Sequence, residues 1–142
     1  MITRREDHVS KKIYLLDTNV LSTVIKNPSG KIAMRLRETP KESLVTSIII
    51  SCELLFGAEK KGSREMLQRV QAILETLPIL SIGSGCDHIY AKTRAQMERH
   101  GHGISANDLL IACQAIQIRA TLVTENFREL SRVPNLKVES WG

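Results

Sequence analysis

Four short stretches place oxygen-bearing side chains at seams between apolar segments: Asp17 in "LLDTNVLS", Glu53 in "SCELLFGAEK", Asp108 in "ISANDLLIACQA", and Thr124, Glu125 and Asn126 in "LVTENFREL". Carboxylates drawn into one place repel one another, so at least one pKa should rise unless a cation joins them. All-oxygen ligand sets suit Mg²⁺ or Mn²⁺. Held this way, such ions carry out phosphoryl chemistry by activating water and stabilising a leaving oxygen.

Each residue also has a plainer reading. Asp17 precedes a helical pattern, where Asp is a good N-cap. Glu53 lies in a helical stretch that is almost entirely apolar from Ile48 to Phe56, with no Lys or Arg within a turn. A buried carboxylate there needs a cation, which is either a metal or a distant Arg. Ser105 and Asp108 have capping-box spacing. Asn126 is suited to cap a short helix over "FRELS", and Glu125 to solvation. Taken singly these readings are strong; taken together, four polar groups at comparable seams point to one site.

Positioning such a cluster requires a particular scaffold. Short β-branched or apolar runs at 13–16, 44–47, 78–82, 120–124 and 136–141 read as strands. Helical patterns fall between them, at roughly 18–26, 29–38, 48–60, 64–77, 84–99 and 106–118, with Asn27-Pro28 separating the first two. Strands alternating with helices imply a parallel sheet with right-handed crossovers. Continuous apolar strands imply cover on both faces. The expected fold is α/β, a three-layer α/β/α sandwich around a central parallel sheet. Ligands of such sheets gather beyond the carboxyl ends of the strands, where Asp17 and the 124–126 group lie.

The 142 residues suit one domain over 12–142, with 1–11 as a loose N-terminal extension. Aromatics make up only 4% of the chain, so the core must be aliphatic. No apolar run reaches the roughly 20 residues of a membrane span, and "MITRREDHVSKK" has no apolar signal-peptide centre. A cytoplasmic location without membrane contact is expected. Cys52, Cys86 and Cys113 show no C-x-x-C spacing and read as buried, reduced thiols. The net charge of +5 favours polyanionic partners only weakly, because the basic residues are dispersed and no aromatics are interleaved with them.

The four quoted motifs, with the closing "VPNLKVESW", resemble those of PIN-domain ribonucleases, specifically VapC-type toxins of type II toxin–antitoxin pairs. The resemblance spans residues 13–141. It implies a PIN-like fold and a Mg²⁺- or Mn²⁺-dependent endoribonuclease that cleaves RNA phosphodiesters, often in tRNA. It assigns the acidic positions to Asp17, Glu53 and Asp108. The fourth position falls on the Glu125–Asn126 pair, with Asn126 among the catalytic candidates. It gives supporting roles to Thr18, Thr124 and Ser47, and to Glu125, which stands where Asn is frequent and would strengthen one metal position. It further implies a VapB-like antitoxin that obstructs the acidic pocket, a homodimer, and contact with promoter DNA only through the antitoxin. The segment 1–11 and the "HGISAN" loop depart from the family pattern.

Other classes fit less well. A haloacid-dehalogenase-type phosphatase needs a second Asp where Asn19 stands. A dinucleotide-binding fold needs a Gly-rich turn after the first strand. A zinc site at His100 and His102 has no further ligand nearby. A PIN-fold module that binds RNA or a partner without cutting remains the non-enzymatic alternative.

Overall fold

The computed structural model describes residues 11–142. Apart from Lys11, the expected extension over 1–11 lies outside the described residues.

Strand β1 (Tyr14–Leu16) leads through Asp17 into helix α1 (Thr18–Lys26), which Asn27 ends. Pro28 and Ser29 form a turn, so α2 (Lys31–Glu38) begins two residues later than its pattern suggests. A single 3₁₀ turn (Lys41–Ser43) precedes β2 (Leu44–Ser47). Helix α3 (Ile48–Lys61) follows and stops at Gly62, whose φ of 66° is left-handed and suits glycine. Then come α4 (Arg64–Leu74), β3 (Ile79–Leu80), α5 (Cys86–Arg99) and α6 (Ala106–Gln117). The chain continues through β4 (Thr121–Val123), α7 (Phe127–Leu130) and β5 (Lys137–Glu139).

The five strands form one parallel sheet in the order β3–β2–β1–β4–β5. Tyr14 stands opposite Leu44 on one side and Thr121 on the other. Helices α1 to α4 pack among themselves, and α5 packs on α6. The expected α/β/α arrangement is what is observed. The central strands are covered, with Leu15, Leu16, Leu122 and Val123 fully buried. The edges are not: Ile79 on β3 is 40% exposed, which shortens the strand expected over 78–82 to two residues.

Cys86 and Cys113 are buried thiols as expected, and burial pushes the Cys113 pKa up to about 11. Cys52 is a correction, because it is exposed on α3. Among the described residues no helix is long and apolar enough to cross a membrane.

The core rests on β4 packing between its neighbours. Leu122→Ala, at a fully buried position, should therefore destabilise the fold by about 2–5 kcal/mol, read as a shifted urea midpoint. A cost below about 1 kcal/mol would show that the sheet centre is loosely packed.

Candidate active site

Asp17 is the first residue beyond buried β1 and is only 4% exposed. It is the N-cap of α1, and its Oδ1 accepts a hydrogen bond from the Thr18 amide at 2.8 Å. Its Oδ2 accepts one from the Thr124 hydroxyl at 2.7 Å. No basic side chain among the described residues forms an ion pair with it. Burial raises the Asp17 pKa above the usual carboxylate range, the two hydrogen bonds oppose the rise, and the charges of Asp108 and Glu53 add to it. The capping role and the clustering with other acids therefore coexist in one side chain.

Glu53 approaches from α3. Its Oε1 accepts a hydrogen bond from the Thr18 hydroxyl, and its Oε2 accepts one from the Asn107 side-chain amide at 3.3 Å. The distant Arg that the plainer reading required is absent among the described residues. The apolar surroundings expected for Glu53 need correction. Glu53 is half-buried, Cys52 is exposed and Phe56 is 65% exposed. The apolar run of α3 exceeds what the core can cover, and part of it faces outward.

Asp108 is the third residue of α6. Its amide donates to the Ser105 hydroxyl at 3.2 Å, which is half of a capping box. Among the described residues its carboxylate makes no hydrogen bond back to the Ser105 amide, so the other half is not formed. Burial raises its pKa, the Ser105 hydroxyl opposes that, and the charges of Glu53 and Glu129 add to the rise. Asp17, Glu53 and Asp108 thus come together from a strand end, a helix face and a helix start. The pKa rise expected from repulsion is present at two of them, though burial is its larger cause.

The fourth position divides. Thr124 is buried; its hydroxyl donates to Asp17 and accepts from the Asn126 amide at 3.0 Å. Asn126 stands at the start of α7, yet its side chain makes no capping bond, contrary to the capping reading. Glu125 is exposed, as the solvation reading has it, and its carboxylate turns toward the end of the chain. Its carboxylate accepts from the Ser140 hydroxyl at 3.2 Å and from the Trp141 and Gly142 amides at 3.3 Å each. Two or three N–H and O–H donors hold a carboxylate well, which is why it turns toward the chain's last residues. Ser47 is buried at the end of β2 and caps α3 by accepting from the Ile49 amide at 3.2 Å.

Two participants escaped the sequence reading. Asn107 braces Glu53, and Asn19 accepts from the Glu125 amide at 3.1 Å. Both stand within two residues of a singled-out Asp, which was the available signal.

The donor set is entirely oxygen. Among the described residues no three His, Cys, Asp or Glu side chains stand close enough together to hold an ion as they lie. An open carboxylate cluster fits an ion such as Mg²⁺, which takes one or two carboxylates and keeps several waters. His100 and His102 stack near each other but have no third ligand among the described residues, where a zinc site needs three or four.

A family profile for the PIN domain matches residues 14–136. Ribonuclease VapC2 of Rickettsia felis is 36% identical over 131 residues, covering 91% of this chain and 98% of that protein. The tRNA(fMet)-specific endonuclease VapC of Salmonella typhimurium is 30% identical over 129 residues, covering 90% of this chain and 97% of that protein. In three dimensions the chain matches the crystal structure of VapBC2 from Rickettsia felis bound to a promoter DNA fragment. The TM-score is 0.84, with 34% identity over 92% of this chain and 99% of that one.

The raised carboxylate pKa values set a pH dependence. A group that binds its proton more tightly when folded favours the folded state at low pH, and that contribution is lost as pH rises through the raised value. With chelator present, stability should fall as pH climbs from the ordinary carboxylate range through the raised Asp17 and Asp108 values, then level off. Asp17→Asn should flatten this fall in melting curves, and an unchanged profile would remove Asp17 as its source. Thr124→Val leaves Asp17 Oδ2 and the Asn126 amide without their shared partner. It should cost about 1–3 kcal/mol.

Proposed function

The chain belongs to the VapC-type ribonucleases of the PIN-domain family, and on that premise we propose that it is the toxin of a type II toxin–antitoxin pair, a divalent-metal-dependent endoribonuclease checked by a VapB-like antitoxin. The observation that carries the reading is the meeting of Asp17, Glu53 and Asp108, where no cationic side chain among the described residues pairs with any of them. An acidic cluster without a counter-charge has a reason to exist if a Mg²⁺ or Mn²⁺ ion completes it.

In this reading Asp17, Glu53 and Asp108 hold the ion. Such an ion supplies charge stabilisation for a phosphate group and makes water a stronger acid at neutral pH. Thr124 fixes one oxygen of Asp17 and the Thr18 amide the other, so the carboxylate does not swing as charge changes nearby. The Thr18 hydroxyl and Asn107 do the same for Glu53. Asn126, free of a capping bond, is suited to donate its side-chain N–H to a phosphate oxygen. Because Asp17 and Asp108 hold protons above the usual range, loading the ion releases protons and weakens as pH falls. RNA is the substrate, with tRNA the favoured class because a relative 30% identical bears the name of a tRNA-specific endonuclease.

The antitoxin reading draws support from a second feature. A cavity of about 220 Å³ lies among α1, α3 and α4, floored by Ile25, Leu54 and Val70 and reaching Thr18 and Glu53. An apolar side chain of a bound polypeptide seated there stands against Glu53 and blocks the site. Gly57, on the cavity wall, has nothing within 4 Å of where a Cβ would be. Glycine inside a helix costs about 1 kcal/mol relative to alanine, and close approach by a partner accounts for it. Dimerisation and promoter binding through the antitoxin follow the same family pattern.

The purified protein should cut RNA with Mg²⁺ or Mn²⁺, stop with chelator and lose cleavage on Asp17→Asn. Its expression alone should arrest growth, with rescue by the antitoxin. Full cleavage by Asp17→Asn, or normal growth while soluble active enzyme accumulates, would sink the reading. Gly57→Leu should retain cleavage and gain helix stability, yet bind the antitoxin more weakly by about 1–3 kcal/mol, or roughly five- to 150-fold. Unchanged antitoxin affinity, measured by calorimetry, would place the partner elsewhere.

A further inference from the structure

The basic residues and the "RHGHGI" stretch take no part in the acidic site, and the fold collects several of them along α5 and the turn that follows it. Along α5, three hollows adjoin one another. The first, about 340 Å³, has Lys92 and Arg99 on its walls. The second, about 210 Å³, shares Gln96 and Pro134 with the first and adds His100, His102 and Arg132. The third, about 80 Å³, shares Met97 and His102 with the second and ends at Ile104 and Ala106. Ala106 precedes Asn107, whose side chain braces Glu53. The hollows therefore adjoin as one trough around the C-terminal half of α5, which ends at the start of α6, two residues before Asp108.

Its charge is one-sided. Lys92, Arg99 and Arg132 are exposed, and none pairs with a carboxylate among the described residues. The one carboxylate lining the trough, Glu98, is bound by Arg94 at 2.9 Å. The His100 and His102 rings lie nearly parallel, at 27° with centroids 6.4 Å apart, and His100 Nδ1 is fixed by the Gln96 carbonyl at 2.8 Å. Unpaired cations along a groove attract a polyanion, and exposed flat rings offer a stacking surface to an unpaired base. The cavity beside Glu53 also has lysines on its wall, Lys26 and Lys61, but differs in its apolar floor of Ile25, Leu54 and Val70, which suits a polypeptide.

We propose that this trough is the track that holds the RNA chain to one side of the cut. Lys92, Arg99 and Arg132 bind successive backbone phosphates, and the His100–His102 pair stacks an unpaired base. The proposal rests on the ribonuclease reading and adds where the substrate lies.

The test uses the full chain carrying Lys92→Gln, Arg99→Gln and Arg132→Gln together. A control triple variant, Lys31→Gln, Lys41→Gln and Lys60→Gln, removes the same charge elsewhere. Binding of a structured RNA is measured against salt, in an Asp17→Asn background with chelator. The trough variant should bind at least tenfold more weakly than the control, with its log K against log salt slope shallower by about 2, from three lost single-strand contacts. With Asp17 intact and Mg²⁺ present, the trough variant's KM for the long RNA should rise while kcat holds. A short oligonucleotide spanning only the cut should be cleaved equally by both. Equal affinity and slope in the two variants would overturn the track, as would loss of antitoxin binding with RNA binding intact, which would give the trough to a protein. A wild type that binds the RNA with this slope but never cuts it would defeat the ribonuclease reading and leave the track standing.

Discussion

A carboxylate buried at the end of a central strand must be held by neutral donors when no cation reaches it. Asp17 meets this condition through the Thr18 amide and the Thr124 hydroxyl. Much of the surrounding structure follows from it. The Thr124 hydroxyl reaches Asp17 because β1 and β4 are parallel neighbours in register, with Leu16 opposite Val123. The Asp17 amide donates to the Val123 carbonyl at 3.0 Å, which carries the pairing one step past the strand. Thr18, the next residue, gives its amide to Asp17 and its hydroxyl to Glu53. One register error between β1 and β4 would turn Thr124 to the other face and leave Asp17 unbraced. Sheet pairing and site geometry are the same constraint.

Helix α3 carries a second tension. Its sequence is rich enough in apolar residues to be buried on all sides, yet Ile48, Cys52 and Phe56 are exposed. Ile50, Leu54 and Ala58 satisfy the core on the opposite face. The outward stripe at i, i+4 and i+8 adds nothing to the stability of the isolated chain. A contiguous exposed apolar stripe of this kind marks an interaction surface when it is large enough. Since Glu53 lies on the same helix, whatever covers that neighbourhood acts on the acidic cluster as well.

The scaffold was legible because its signals are local. Apolar runs, Asn27-Pro28 and the Ser105 cap fixed the element order, and only the ends moved, as at Ser84 and Gly85 before α5. The acids at 17, 53 and 108 were legible as chemistry out of place in apolar surroundings. What the sequence could not convey was direction. Helical periodicity on an almost uniformly apolar stretch does not say which face is outward, so the sequence gives no sign that Cys52 and Phe56 face solvent. Glu125 and Asn126 are adjacent, and no local rule distinguishes which one turns toward the site. That depended on Ser140, Trp141 and Gly142, which arrive from the far end of the chain.

The fate of Glu125 shows how such a choice is made. A fourth carboxylate beside Asp17, Glu53 and Asp108 would add repulsion to a cluster in which Asp17 and Asp108 already bind protons more tightly than usual. The chain supplies a better partner set. The Thr124 amide donates to the Glu139 carbonyl at 3.0 Å, which brings β5 alongside and delivers the Trp141 and Gly142 amides to the Glu125 carboxylate. On the other side the Glu125 amide donates to Asn19 in the first turn of α1. The loop after β4 is thereby tied at its amide to the helix that Asp17 caps and at its carboxylate to the last residues of the chain. With both ends of Glu125 engaged, the backbone at Asn126 is set against Thr124, and the Asn126 side chain makes no capping bond. Glu125 shapes the site through the loop it anchors, without entering the acidic cluster.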